Sequence, residues 1–199
     1  SDLPGVQSVP TVRPGDDVGT GDLIVRMAPG RRVEGSLAAD NHGNRYTGAQ
    51  RAMATVQVNS PFLVGDQLSA SAQYTSNDMR FGNVVYSLPL GGSGLRAKAS
   101  YGYTYYELGK EFASLDARGN ARVAAVGLTY PLVRSQRRNL TLGLDLQHKQ
   151  LHDHYRVAQV RQEKFSNTLP VSARFDARDS LGGGGVTFGT LTWTPGTLK

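Results

Sequence analysis

The chain has 199 residues, 39% of them hydrophobic, with 24 glycines, no cysteine and a formal charge of +6. The lack of cysteine removes disulfides, thiolate catalysis and zinc–thiolate sites, and no apolar run approaches the ~18 residues a membrane-spanning helix needs. A β-barrel stays open, because each spanning strand needs only ~10 residues of alternation, and the basic residues are scattered rather than clustered, which weighs against nucleic acid as a partner.

Residues 1–30 differ in kind from the rest of the chain. Val6 to Val12 and Asp22 to Met27 are short extended runs, separated by Arg13-Pro14-Gly15 and a Gly/Asp-rich stretch to Gly21. This spacing predicts a β-hairpin with a longish loop. Two strands alone are marginal, so they are expected to belong to a small α/β module whose start lies outside the chain. No signal peptide opens the sequence, and residue 1 falls inside what reads as a domain, as in a fragment.

Residues 31–199 alternate almost throughout. Val33, Gly35, Leu37 and Ala39 oppose Glu34, Ser36 and Asp40, and His42-Gly43-Asn44 turns the chain. Ala52, Ala54, Val56 and Val58 follow, then a connection over residues 60–66, then Leu68, Ala70, Ala72 and Tyr74. Gly82, Val84, Tyr86 and Leu88 lead to the turn Gly91-Gly92-Ser93-Gly94. The clearest strand comes next. Leu95, Ala97, Ala99, Tyr101, Tyr103 and Tyr105 share one parity, and Arg96, Lys98, Ser100, Gly102 and Thr104 share the other. Strand side chains alternate between faces, so one face is apolar, ending in tyrosine, and the other is wet and charged.

Residues 107–120 read as a longer polar loop. Ala124, Val126, Leu128 and Tyr130 precede a basic turn at residues 134–139, and Leu140, Leu142, Leu144 and Leu146 oppose Thr141, Gly143, Asp145 and Gln147. Residues 148–168 are charged and weakly patterned, a loop or an extended hairpin. Val171, Ala173, Phe175 and Ala177 oppose Ser172, Arg174, Asp176 and Arg178, and a glycine-rich turn leads to a last strand, Val186 to Trp193, of unsettled outward parity.

The pattern predicts an antiparallel up-and-down meander of about nine strands, part of a larger transmembrane β-barrel, with short connections on one side and long loops on the other. Arg96, Lys98, Asp145, Arg174, Asp176 and Arg178 would each cost several kcal/mol in a dry sandwich core but little in a hydrated lumen. They are the candidate lumen-lining residues. Tyr74, Tyr101, Tyr103, Tyr105 and Tyr130 are the candidate aromatic girdle, where tyrosine keeps its hydroxyl at the headgroups.

Other motifs are weaker. His152-Asp153-His154 puts two histidines on one face without an evident third metal ligand, so a solvated loop is the better reading. Gly182 to Gly185 lacks the Lys-Ser/Thr and the helix of a phosphate loop. Gly92-Ser93-Gly94 lacks the outer spacing of a nucleophile elbow. Asp145 and Asp176 fall on neighbouring strands, but arginines flank Asp176, which favours salt bridges over acid–base work. The tyrosines at 101–106 and the nearby cations lie on opposite faces, against stacking on nucleic acid. No catalytic residue, metal or cofactor is expected.

Asp40-Asn41-His42-Gly43-Asn44-Arg45-Tyr46-Thr47-Gly48, followed by Gly65-Asp66-Gln67-Leu68-Ser69 and Tyr86-Ser87-Leu88-Pro89-Leu90-Gly91, resembles the outer-membrane transporters of two-partner secretion. This is the family of haemolysin and filamentous-haemagglutinin secretion/activation proteins in the Omp85 superfamily. Leu108-Gly109, residues 111–116, Leu128 to Leu132 and Asp176-Ala177-Arg178-Asp179 agree in order and spacing, and Leu3 to Val6 with Thr11 to Gly15 resembles the end of a second periplasmic POTRA domain. The resemblance covers essentially the whole chain. It implies residues 1–30 as the tail of that POTRA domain and residues 31–199 as the N-terminal part of a sixteen-stranded barrel. It implies an outer-membrane localisation with a periplasmic N-terminal part, and export of one large unfolded exoprotein, such as a haemolysin or adhesin, without ATP. The partners it implies are that exoprotein and outer-membrane lipid. The family's Val-Arg-Gly-Tyr loop signature is not in the chain. An Omp85-type assembly factor and a soluble β-sandwich binding module are the rival readings.

Overall fold

The computed structural model of the chain describes residues 4–17, 19–107, 117–155, 160–179 and 183–198. Strands β1 (Val6–Pro14) and β2 (Gly21–Pro29) pair as an antiparallel ribbon, from Val6 opposite Pro29 to Pro14 opposite Gly21. Each strand runs longer than its apolar run suggests, because backbone pairing continues past the last hydrophobic residue. Gly15 N donates to Thr20 O at 3.0 Å and closes the loop. No helix accompanies the ribbon among the described residues.

The remaining strands are β3 (Val33–Asp40), β4 (Arg51–Asn59), β5 (Gln67–Thr75), β6 (Arg80–Pro89), β7 (Arg96–Glu107), β8 (Ala117–Arg134), β9 (Arg138–Tyr155), β10 (Val160–Thr168), β11 (Val171–Arg178), β12 (Val186–Trp193) and β13 (Gly196–Leu198). Together they form one sheet of 11 strands, in the order β12-β11-β9-β8-β7-β6-β5-β4-β3, with β10 on the other half of β9 and β13 beside β10. It is a single continuous sheet, not two sheets packed face to face, which removes the sandwich reading.

Eleven strands reduce to nine passes. β10 and β11 keep one register against β9: Thr168 faces Gln147 and Val171 faces Leu144. Between them Pro170 has no N–H to give, but its carbonyl still accepts from Asp145 N at 3.0 Å. β12 and β13 are likewise one pass across Pro195, whose carbonyl accepts from Leu169 N at 2.8 Å. Every adjacent pair of passes is antiparallel, as the meander requires.

One loop expectation needs correction: residues 117–120, expected within a loop, open β8. Of the two readings of residues 148–168 the extended hairpin holds, with most of them paired in β9 and β10. Their periodicity is weak because both faces are polar, so alternation has nothing to display. Residues 108–116 and 156–159 lie outside the described residues. The asymmetry of the sheet lies more in strand length than in loop length. On the near side, where the β1–β2 ribbon joins the sheet, the turn at residues 60–66 is longer than that at 76–79 on the opposite, far side, whereas β8 and β9 have 18 residues each. At ~3.3 Å per residue such a strand is about 60 Å long and at a tilt of ~40° rises about 45 Å, well beyond the ~25 Å apolar band of an outer-membrane barrel. The far halves of β8, β9 and β10 therefore extend beyond such a band. Their sequence agrees: Arg122, Gln150 and His152 take the positions that Val126 and Leu146 hold lower down.

The polarity of the two faces is the reverse of a soluble protein's. Along β7, Ala99, Tyr101 and Tyr103 are exposed while Lys98, Ser100, Gly102 and Thr104 are half-buried. Along β9, Leu142, Leu144 and Leu146 are exposed, while Thr141, Asp145 and Gln147 are half-buried and Gly143 is buried. A flat sheet would expose both faces alike. This one curls towards its polar side, so the polar side chains are the sheltered ones.

The polar face of the sheet as candidate functional site

Register places the candidate residues. Arg96 and Lys98 lie on β7, Asp145 on β9, and Arg174, Asp176 and Arg178 on β11, all on the polar face. Lys98 and Asp145 meet across β8. Lys98 Nζ donates to Asp145 Oδ2 at 3.0 Å and stands 2.9 Å from Oδ1. The space between them exists because Gly127 sits on the intervening strand. A Cβ there would lie 2.0 Å from Asp145 Oδ1 and 2.6 Å from Leu144 O. Asp145 is 13% exposed and Lys98 36%, so the carboxylate is the more desolvated partner.

The other candidates are held separately. Arg96 Nη2 donates to Ser87 Oγ at 2.8 Å and to Gly65 O at 3.1 Å, fastening the near end of β7 to the turn before β5. Asp176 accepts from Asn139 Nδ2 at 2.9 Å. Arg174 and Arg178 are exposed near the β12 side. Asp145 and Asp176 do not form a carboxylate pair. Asp176 is opposite Asn139, and Asn139 lies six positions from Asp145 on β9, about 20 Å at ~3.3 Å per residue. The polar face carries charge dispersed along three strands rather than gathered at one point.

On the other face, Tyr74, Tyr101, Tyr103 and Tyr130 are exposed and Tyr105 is half-buried. They do not form one row. Tyr74 and Tyr105 both pair with Arg80 towards the far end, with Tyr103 and Tyr101 below them, while Tyr130 pairs with Leu142 towards the near end. Tyr74 Oη donates to Asp78 Oδ1 at 2.8 Å. Register also settles the parity of β12. Leu191 and Trp193 oppose Ala173 and Val171 on the apolar face, and Gly189 leaves room for the ring of Phe175, 2.9 Å from where its Cβ would be.

His152 and His154 share a face, as alternation requires, while Asp153 points the other way and accepts from Tyr106 Oη. His152 Nδ1 is 3.3 Å from Glu163 Oε1, and its ring meets Phe165 edge-on. Among the described residues no group of three or more His, Asp or Glu side chains converges on a metal position.

Two clamps escaped the sequence reading. At the near end, Asp66 is fully buried and accepts from Tyr86 Oη at 2.7 Å. Beside it Asn59 Nδ2 donates to Arg31 O at 2.9 Å and Ser60 Oγ to Pro4 O at 2.9 Å, tying the ribbon's base to the sheet. At the far end, Arg51 Nε donates to Asp40 Oδ1 at 2.9 Å, and buried Thr75 donates to Thr47 O. Gly48, at φ +111°, packs so tightly on Thr75 that a Cβ would fall 2.6 Å from its Oγ1. The available signals were the string ending in Thr47-Gly48 and the string opening with Gly65-Asp66, each holding a glycine at positive φ beside a polar clamp.

This geometry is a curled antiparallel wall with a sheltered polar face, and it is shared with solved structures. The chain aligns with CdiB from Escherichia coli at a TM-score of 0.73 and 22% identity, over 94% of this chain and 36% of that one. CdiB from Acinetobacter baumannii gives 0.72 and 21%, over 99% and 38%. Residues 19–197 match the family model of the haemolysin secretion/activation protein ShlB/FhaC/HecB. The chain belongs to this family. It is 28% identical over 200 residues to the heme/hemopexin transporter protein HuxB of Haemophilus influenzae strain 86-028NP, covering all of this chain and 35% of that protein. It is 23% identical over 165 residues to the hemolysin transporter protein HpmB of Proteus mirabilis, 79% of this chain and 29% of that one. The chain thus spans about a third of the length of these curated relatives.

Proposed function

We propose that the chain forms part of the wall of an outer-membrane barrel that secretes an exoprotein in two-partner secretion. The observation that carries this reading is the inverted polarity of the sheet. Exposed leucine, valine and tyrosine suit a lipid contact, and a sheltered face of charge, serine and glycine suits a hydrated passage. Family membership and the transporter names of HuxB and HpmB support it. Residues 1–30 stand on the periplasmic side as the end of a POTRA domain, at the near-side turns. Arg96, Lys98, Asp145, Arg174, Asp176 and Arg178 line the lumen and meet the moving exoprotein with charges of both signs, so no stretch of it is held long. Tyr74, Tyr101, Tyr103 and Tyr105 mark the outer lipid boundary and Tyr130 the inner one. Nucleic acid and catalysis have no place in this account.

The test is photocrosslinking in the intact transporter, caught with a stalled exoprotein. A crosslinker at Ser100 or Thr104 is expected to capture the exoprotein, and one at Tyr101 to capture none. Capture from Tyr101 alone, or from neither face, contradicts the reading.

A further inference from the structure

The turn between β4 and β5 presents three consecutive apolar side chains that the rest of the sheet leaves open. Phe62 is 75% exposed, Leu63 57% and Val64 72%. A water-facing turn has no use for such a tip. Much of its backbone is bonded within the turn. Ser60 N donates to Asp66 O at 2.8 Å, Asp66 N to Leu63 O at 3.3 Å, Phe62 N to Asp66 Oδ2 at 3.3 Å and Gly65 N to Ser60 Oγ at 3.0 Å. Pro61 has no N–H to satisfy. Gly65, at φ +84°, takes the third position of the Leu63–Asp66 turn, where a type II turn demands a positive φ.

The tip also has a fixed direction. The Phe62 ring meets the Tyr86 ring edge-on at 5.9 Å, and Tyr86 opposes Leu68 and Ala99 on the apolar face. Buried Asp66, bonded to Tyr86 Oη, locks the turn against that face. The exposed apolar tip is therefore continuous with the apolar face at its near end, and the turn itself meets the backbone donors of Ser60, Phe62, Gly65 and Asp66, which lowers the cost of leaving bulk water.

We infer that residues 61–64 seat in the headgroup–acyl boundary of the leaflet on the ribbon side and anchor that end of the wall in lipid. The inference rests on the apolar face being lipid-facing. An anchor beside the joint with β1 and β2 would hold the ribbon at a constant height while the exoprotein pulls on it.

The test uses the absence of cysteine from this chain. An environment-sensitive fluorophore on Val64→Cys of the intact transporter is read in lipid nanodiscs, which leave both membrane sides open to reagents. Leu63→Cys serves as the second position. Blue-shifted emission is expected, with most intensity lost to nitroxides carried near the lipid headgroups and little lost to iodide. Quenching by iodide alone overturns the inference, because the tip is then in water. Protection from both quenchers also overturns it, because protein then covers the tip. The same probe on Val126→Cys separates the two levels. Deep lipid nitroxides quenching Val126 while headgroup nitroxides leave Val64 unquenched refute the anchor only, and failure at Val126 refutes the lipid-facing reading beneath it.

Discussion

Removing one partner of the Lys98–Asp145 pair is expected to cost different amounts depending on which partner goes. At 2.9 Å the gross attraction is about 6 kcal/mol at an effective permittivity of ~20, and desolvation offsets most of it. Without Asp145, the Lys98 ammonium, 36% exposed, turns to water, so Asp145→Asn should cost about 1 kcal/mol. Without Lys98, the Asp145 carboxylate, 13% exposed beside its partner, loses its salt bridge while still largely sheltered, so Lys98→Met should cost about 2–3 kcal/mol. The double variant removes the stranded charge and should cost less than the two singles added, by about 1 kcal/mol or more. Urea titration of the purified transporter in detergent, with folded fraction read by gel mobility, measures all three. Equal single costs, or strict additivity, would refute the pairing of these side chains across Gly127.

Close packing, the two faces and the buried clamp set four more outcomes. Gly127→Ala should lose about 1–3 kcal/mol in that titration, since its Cβ would press on the Leu144 carbonyl at 2.6 Å, which cannot move without the strand. Gly48→Ala should abolish most of the folded, heat-modifiable band, because φ +111° and the closeness of Thr75 both exclude a side chain. Leu144→Arg should reduce the fraction folded into liposomes by a cost of about 2–4 kcal/mol if it lies near the bilayer centre, while Thr104→Arg on the polar face should fold nearly as well as the parent. Tyr86→Phe should lower the midpoint of the urea titration by taking a donor from buried Asp66, while Tyr101→Phe should leave it unchanged.

The sheet was legible wherever one face is apolar. Leu140 to Leu146 and Ala97 to Tyr105 alternate so strictly that both the strands and their faces could be read directly. The Lys98 and Asp145 positions followed from parity, but their contact did not. It depends on a register across β8 that only the pairing of Gly127 with both strands fixes. The far hairpin of β9 and β10 was legible only as one of two readings, because Lys149, His152 and Glu163 make both faces polar. The continuity of β10 with β11 was hidden by Pro170, which usually ends a strand but here keeps its acceptor in the ladder. Asp66 could not be singled out, because a turn aspartate is ordinarily solvated and only its burial beneath Tyr86 makes it a clamp.

The central claim is that the sheet has lipid on one face and water on the other. A cysteine scan of β7 from Ala97 to Tyr105 in the intact transporter, in lipid nanodiscs, tests it most directly. Each position is probed with a charged, water-soluble maleimide and, separately, with a fluorophore quenched by lipid nitroxides. Ala97, Ala99, Tyr101 and Tyr103 are expected to report lipid, and Lys98, Ser100, Gly102 and Thr104 to react from water. A scan without this two-residue period, or with the faces exchanged, would contradict the account.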